Sequence, residues 1–294
     1  MIKNVISFFV FAVALCYCVS AVAQEPTKDT TTTVSPFCSV DTAVCAQVQV
    51  SYDSYQFGIL LNTGNSELAP YYISSNQWGY ITQKNSALAF ASVHHALNNS
   101  SRFSWGAGLT LIGGYTSSAG YERYVGNGQF EVQQQHPARV WLQEAYIEAK
   151  YRSIFAVVGQ MYKSSPIVNG ALSSGDLVWS NNARPPVGVR AGFIDFQDVP
   201  FTKGWLQLTG EFGYFRQFDD KWLENHYNYY NHFITTGVWL HYKSLHFRTN
   251  PRKSFVFTIG AQSACQFGGT ATYYEDGQVS RTVEMDADAK AFFR

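Results

Sequence analysis

The sequence has few charged residues and, after its N-terminal segment, no long apolar run. Asp, Glu, Lys and Arg make up 14% of the 294 residues, whereas a typical soluble domain carries roughly 25%. After Val19 the apolar runs are short, as at Phe155–Val158, and a membrane-spanning helix needs about 20 mostly apolar residues. If the mature chain crosses a membrane, it must therefore do so with strands.

A basic excess and clustered metal ligands are also missing. Lysine plus arginine and aspartate plus glutamate number 21 each, which argues against a nucleic-acid partner because such proteins carry a basic patch. Cys38 and Cys45 are close enough in sequence to bridge in an oxidising compartment, and whether they do so stays open. No histidine or further cysteine lies near that pair, so we expect no metal and no cofactor.

Residues 1–23 have the three parts of a secretory signal peptide. Lys3 provides a positive start, an apolar run extends from Val5 to Val19, and Ala21–Ala23 offers a small-residue cleavage site. The run is shorter than a spanning helix, which disfavours an N-terminal membrane anchor. We predict export to the bacterial outer membrane, with residues 24–46 forming a flexible, Thr-rich lead-in.

From about Gln47 the sequence consists of short segments in which polar and apolar residues alternate. In Trp141–Tyr151, Glu144, Glu148 and Lys150 share one face of an extended strand. In Phe233–Lys243 the pattern places Leu240 and Tyr242 on an apolar face and Lys243 on a polar one. Further strands are predicted at Tyr52–Asn62, Ala87–His94, Trp105–Tyr115, Ile154–Lys163, Val187–Phe196, Trp205–Phe215 and Phe255–Gln262.

These segments predict an all-β, antiparallel outer-membrane β-barrel of roughly nine to eleven strands. Their lengths match membrane strands, and the aromatic content of 16% suits the interfacial girdles of such barrels. A soluble β-sandwich, whose strands also alternate with the apolar face turned inward, is the alternative fold. The polar stretches Ser117–His136 and Ser164–Arg184 are predicted to be long loops, extracellular or folded into the lumen.

Five segments occur in an order that carries a family resemblance. They are Trp141–Lys150 (WLQEAYIEAK), Ser174–Pro186 (SGDLVWSNNARPP), Asp195–Trp205 (DFQDVPFTKGW), Leu240–Leu245 (LHYKSL) and Gln266–Gly269 (QFGG). This ordered set resembles the Wzi family of outer-membrane capsule-assembly proteins, in the version found in Bacteroidetes. The resemblance spans Ser51 to Gly269.

Family membership would imply an eighteen-stranded barrel with helical material plugging its lumen. It would also imply a monomeric, non-enzymatic, lectin-like protein that contacts outer-membrane lipid and holds capsular or other exported polysaccharide at the cell surface. Family members are longer, so residues 47–294 are expected to form an incomplete barrel domain, about the first half to two thirds. Met285–Phe293 resembles the start of a helix rather than a closing strand.

Glycan binding requires flat apolar faces for sugar rings and polar groups for their hydroxyls, and arginine clamps a sugar carboxylate. The loop that contains Trp179, Asn181, Asn182 and Arg184 has this mixture. For Trp179 and Arg184 the alternative role is to anchor the loop against the barrel wall.

Glu144, Glu148 and Lys150 are predicted to point into the lumen. There they would either contact glycan or form a salt-bridge network that rigidifies the barrel. Both roles stay open at this stage.

Two other functions compete with a lectin. A porin or polysaccharide transport channel is compatible with a polar lumen. An outer-membrane hydrolase would use His94 and His95 with a carboxylate such as Glu144 or Asp219. Adjacent histidines on a strand point to opposite faces, and the chain has no nucleophile-elbow pattern, so we expect no enzyme.

Overall fold

A computed structural model of the chain describes residues 43–50, 52–66, 68–163, 172–176, 178–219, 221–229 and 232–288. Strands account for 58% of these residues and helices for 4%, so the described chain is all-β. Among these residues no helix is long and apolar enough to cross a bilayer. The predicted signal peptide and Cys38 lie outside the described residues.

The chain forms sixteen strands and two short helices. The strands are β1 (Ala43–Val50), β2 (Asp53–Asn62), β3 (Ser86–His95), β4 (Phe103–Thr116), β5 (Ala119–Gly126), β6 (Gln129–Gln135), β7 (Val140–Tyr151), β8 (Ile154–Gln160), β9 (Val187–Phe193), β10 (Gln197–Asp198), β11 (Leu206–Arg216), β12 (Phe233–Thr236), β13 (Trp239–Thr249), β14 (Thr258–Phe267), β15 (Thr270–Glu275) and β16 (Gln278–Glu284). The helices are α1 (Tyr71–Ser74) and α2 (Trp222–Tyr227).

Ten strands form one antiparallel sheet in the order β1-β2-β3-β4-β7-β8-β9-β11-β13-β14, and the short β10 pairs with β11. Within this set of ten, neighbouring strands in the sheet follow one another in sequence order. The β5–β6 hairpin and the β12-β15-β16 sheet stand outside this order. Within the described residues β1 and β14 have a single neighbour each, so the large sheet is open at both edges.

The connections differ in length at the two ends of the large sheet. At the end that we call the short-turn end, they comprise residues 51–52, 96–102, 152–153, 194–205 and 250–257. At the opposite end, the long-loop end, they comprise residues 63–85, 117–139, 161–186 and 217–238. The sheet is therefore strongly asymmetric along its strands.

The large sheet has an exposed apolar face, here called the outer face, and a buried, partly polar inner face. On β2, Leu60 is 0% exposed whereas its neighbour Leu61 is 58% exposed. On β7, Glu148 and Lys150 are buried whereas Ile147 is 67% exposed. Exposed large apolar side chains of the outer face are Tyr55, Phe57, Ile59, Leu61, Val93, Phe103, Trp105, Leu109, Leu111, Ile147, Val158, Val189, Phe212 and Leu245. This is the reverse of a β-sandwich, which buries its apolar face.

Two long loops fold back across the inner face. The loop at residues 63–85 includes α1 and contributes to a core made of Leu60, Trp78, Tyr80, Ile81, Leu88, Phe90 and Ile112. The loop at residues 161–186 contributes to a second core, made of Trp179, Phe215, Leu240 and Tyr242. Apolar side chains on the inner face thus serve as docking positions for loops.

The strand predictions hold for most of the sheet and fail at its irregular points. The lead-in predicted at residues 24–46 is wrong at its C-terminal end, because β1 already begins at Ala43. The stretch Ser117–His136, predicted to be a loop, contains the β5–β6 hairpin. Met285–Asp288 forms no helix, and residues 289–294 lie outside the described residues.

The single strand predicted at Phe233–Lys243 is divided at Gly237, whose φ of 63° is incompatible with a continuous strand. Its first half becomes β12, in a loop sheet, and its second half belongs to β13. Leu240 and Tyr242 are buried on the inner face, whereas Lys243 is exposed on the outer face beside Phe212. The orientation predicted for this segment is therefore reversed.

A β-bulge also changes which side chains of β7 face inward. The pairing of β4 with β7 shifts between Thr110 and Leu111, so that Gln143 has no partner in the register. As a result Gln143 and Glu144 are both buried and Leu142 is exposed. An extra residue in one strand has this effect on alternation.

The matched pair Leu60 and Leu61 tests the assignment of the two faces. Leu60→Ala removes a buried side chain and is expected to lower the free energy of unfolding by about 2–5 kcal/mol. Leu61→Ala removes an exposed one and should lower it by much less. Denaturant titration of both variants under the same conditions measures the difference, and equal losses would contradict the two-faced sheet.

Candidate functional site

The predicted glycan-binding loop forms a tight hairpin. The Asp176 carboxylate accepts hydrogen bonds from the backbone N–H groups of Val178 and Trp179, both at 2.7 Å. Gly175 and Ser180 form an antiparallel bridge across the hairpin. These bonds fix the turn locally, and the Trp179 side chain projects from it toward the inner face of the sheet.

Trp179 is the anchor of this loop. Its ring is 6% exposed and meets Phe215 and Tyr242 edge-on, with centroid separations of 5.0 and 5.1 Å. The Lys163 ammonium lies 4.9 Å from the Trp179 ring centroid. The ring is thus covered by protein, which favours the alternative role of anchoring the loop over stacking on a sugar ring.

Lys163 connects the anchor to charges on the sheet. Its ammonium forms an ion pair with Glu211, whose second carboxylate oxygen lies 3.4 Å from the Arg190 guanidinium. Burial and the positive charge of Arg190 lower the pKa of Lys163 to about 7. The ion pair with Glu211 keeps a buried cation compensated beneath the loop.

Asn181 and Asn182 join the two inward-folded loops. The Asn181 backbone carbonyl accepts a hydrogen bond from the Trp78 N–H at 2.7 Å. The Asn182 side-chain oxygen accepts one from the Asn76 N–H at 2.8 Å. Asn181 is buried, so its role here is structural, while Asn182 is only half-buried.

The accessible part of this region is a surface made of Tyr71, Tyr72, Asn182 and Arg184, which we call the loop face. Tyr72 is 81% exposed. Tyr71 lies 3.2 Å from the Ser174 hydroxyl, and hydrogen bonds from Ser174 and Asn182 lower its pKa. Arg184 is exposed, with its guanidinium carbon 5.8 Å from the Trp141 ring centroid.

Sequence reasoning missed Tyr71 and Tyr72. Their signal was present, because two adjacent tyrosines follow Pro70 in a segment without strand alternation. Only the fold brings α1, which carries them, to the loop that contains Asn182.

Glu144, Glu148 and Lys150 all lie on the inner face, as predicted, but they form no mutual salt-bridge network. Glu144 accepts a hydrogen bond from the Tyr162 N–H at 3.0 Å. Lys150 donates to the carbonyl oxygens of Asn99 and Ser101 at 2.8 and 2.7 Å. Lys150 therefore holds a connection at the short-turn end, far along the strand from the loop face.

Glu144 also meets the histidine of the predicted hydrolase site. His94 Nε2 lies 3.1 Å from Glu144 Oε2 and 3.0 Å from the Ser92 hydroxyl. In a serine–histidine–acid relay the acid binds the other ring nitrogen, whereas here both groups meet Nε2. Ser92 is buried, so this arrangement does not support a hydrolase.

His95 points to the opposite face, as predicted for adjacent residues of a strand. Its Nδ1 lies 2.7 Å from Asp53 Oδ1, and its ring stacks on Trp105 with a centroid separation of 4.3 Å. The two histidines thus do not act on a common ligand. Among the described residues no group of three or more His, Cys, Asp and Glu side chains is arranged to hold a metal ion.

The remaining long loops form a separate cap at the long-loop end. The buried Asn228 amide donates to the Tyr124 carbonyl at 2.8 Å and accepts from the Tyr124 N–H at 3.3 Å. The Tyr124 hydroxyl donates to the Asp276 carboxylate at 2.7 Å. These bonds tie residues 117–139, 217–238 and 268–288 together.

Comparison of the chain with family models, with curated proteins and with solved structures finds no match. The geometry of the loops and of the two sheet faces therefore carries the functional argument.

The anchoring role of Trp179 can be tested against another side chain of the same loop. Trp179→Ala should lower the free energy of unfolding by about 3–5 kcal/mol, as for other buried aromatic side chains, and should release the loop to proteases. The matched control Leu172→Ala removes a fully accessible side chain and should change neither. Limited proteolysis with mapping of the cut sites reads out the loop, and equal cleavage in both variants would contradict the anchor.

Proposed function

We propose that the chain forms the wall of an outer-membrane β-barrel, with the outer face in contact with lipid. The observation that carries this proposal is the band of exposed apolar side chains across β2 to β13, opposite a face with buried charges. Soluble monomers rarely expose contiguous apolar patches above a few hundred Å². Lipid covers such a face, while strand pairing satisfies the backbone groups.

The asymmetry of the connections supports the same proposal and gives it a direction. Outer-membrane barrels have short periplasmic turns and longer extracellular loops. In this orientation the short-turn end faces the periplasm. The loop face and the cap then lie toward the cell exterior, where exported polysaccharide is found.

We further propose that the loop face holds capsular or other exported polysaccharide. Tyr71 and Tyr72 offer aromatic rings for sugar faces, and Asn182 and Arg184 offer amide and guanidinium donors for hydroxyl or carboxylate groups. The resemblance of the ordered sequence segments to the Wzi capsule-assembly proteins supports this role. The inward-folded loops would then correspond to the plug that the family leads us to expect.

These loops argue against a porin or transport channel. Residues 63–85 and 172–186 are joined by hydrogen bonds from Trp78 and Asn76 to Asn181 and Asn182. The Gln143 amide also donates to the Trp78 carbonyl at 2.9 Å. A steady open conductance of the purified protein in planar bilayers would favour the channel over the lectin.

A charge placed on the outer face tests the membrane assignment. Ile147→Arg should reduce the stability of the bilayer-inserted state by about 2–4 kcal/mol, the cost of arginine near the midplane on a lipid-facing strand. Val132→Arg, at an exposed apolar position of the β5–β6 hairpin, is the matched control and should insert normally.

Insertion into lipid vesicles is measured by protease protection and by refolding yield. If Ile147→Arg inserts as well as Val132→Arg, or if the unmodified mature chain is freely water-soluble without detergent, the wall assignment is wrong.

Glycan binding by the loop face is tested with two substitutions on it. Tyr72→Ala and Arg184→Gln should each weaken the retention of polysaccharide on the cell surface by several-fold, because each removes a group aimed at the ligand. Arg152→Gln, at an exposed turn of the short-turn end, is the matched control and should leave retention unchanged.

Retention is read by glycan staining of cells with equal amounts of protein in the outer membrane. Unchanged retention in both loop-face variants would remove this surface from the site.

A further inference from the structure

A lysine interrupts the apolar outer face. Lys243 on β13 is exposed and pairs in register with Phe212 of β11. The nearby Glu211 lies on the inner face, where it is paired with Lys163 and Arg190. Among the residues that the structure describes, no acidic side chain forms an ion pair with Lys243.

A depression in the outer face begins at Lys243. It encloses about 450 Å³ and is lined on that face by Ile154, Ala191, Phe193, Gly210, Phe212 and Leu245. Ala191 has a small side chain and Gly210 has none, so they form the floor of the depression. Their larger neighbours form its sides. On the outer face this lining is apolar apart from Lys243, and Glu211 and Ser244, which belong to the inner face, also border the depression.

The residues on either side of Lys243 give the depression a direction. Toward the long-loop end, His241 stacks on Tyr214 with a centroid separation of 4.8 Å. Toward the short-turn end, the Gly210–Leu245 and Ile154–Phe193 pairs continue the apolar floor. Lys243 thus lies between the His241–Tyr214 pair and the apolar floor of the depression.

We propose that this depression is a binding site for an anionic, phosphate-bearing lipid, with one acyl chain in the groove and the phosphate on Lys243. The inference rests on the proposed wall function, because only a lipid-facing surface presents the groove to acyl chains. A long lysine side chain reaches from below the interface to the headgroup level. The uncompensated positive charge selects an anionic headgroup.

The test uses the mature chain in non-ionic detergent, titrated with dioleoyl phosphatidylglycerol and observed by native mass spectrometry. Lys243→Gln should weaken binding of the first lipid about fivefold, the effect of one basic residue near an anionic surface. Ala191→Leu should weaken it as well by filling the groove. Lys253→Gln, in an exposed connection at the short-turn end, is the matched control and should bind as the unmodified chain does.

Two further arms separate the lipid from its parts. Phosphatidylcholine should bind with no dependence on Lys243, and inorganic phosphate at the same concentration should not displace the lipid. Equal binding of phosphatidylglycerol by Lys243→Gln and the unmodified chain would overturn the site. Displacement by inorganic phosphate would reduce it to a phosphate site without a lipid, and a change of oligomeric state in Lys243→Gln would assign the groove to a second copy.

Insertion into vesicles is measured on the same preparations. If the unmodified chain fails to insert, the wall function has failed. If it inserts and shows no Lys243-dependent preference, only the lipid site has failed.

Discussion

The structure depends on one constraint: every strand between β1 and β14 in the large sheet pairs its backbone with two neighbours, while its side chains face two unlike environments. The outer face carries Leu61, Ile147 and Phe212 in exposed positions, whereas Glu144, Glu148 and Lys150 are buried on the inner face. A buried charge on that face requires a partner. Glu144 contacts His94, and Lys150 donates hydrogen bonds to two backbone carbonyl oxygens. The inner face is therefore a set of paired polar groups rather than an open polar surface.

The same constraint explains where the loops dock. Near the long-loop end the inner face carries Leu60 and Phe90 in one place and Leu240 and Tyr242 in another. Water cannot cover these side chains favourably, so two loops fold inward and bury them. Trp179 packs against Leu240 and Tyr242 in the second of these two places. The inward folding of the two loops is thus a consequence of apolar residues on the inner face, and it leaves the loop face exposed.

Two-residue alternation was sufficient to predict most strands and to place Glu144, Glu148 and Lys150 on the inner face. The prediction failed where one irregular backbone residue shifts the alternation, so that the side chains beyond it lie on the other face. A periodic pattern predicts neither the bulge beside Gln143 nor the positive φ of Gly237. The site was harder to predict than the strands, because the contacts of Trp179 with Phe215 and Tyr242 join residues that are far apart in sequence. Tyr71 and Asn182 are likewise far apart in sequence, so no local pattern predicts that they lie close together.

Within the described part of the chain, β1 and β14 each have one unpaired edge, and these edges set the condition on which the proposed membrane role depends. On β14 even the inner-face positions Gln262 and Gln266 are not buried, whereas the equivalent positions of β2 and β4 are covered by loops. The inward-folded loops thus cover only part of the inner face. An unpaired strand edge in hydrocarbon leaves backbone groups unsatisfied at several kcal/mol each. In a membrane, the edges of β1 and β14 must therefore pair with each other or with further strands, and the uncovered inner face of β14 borders the space that such a closure would enclose.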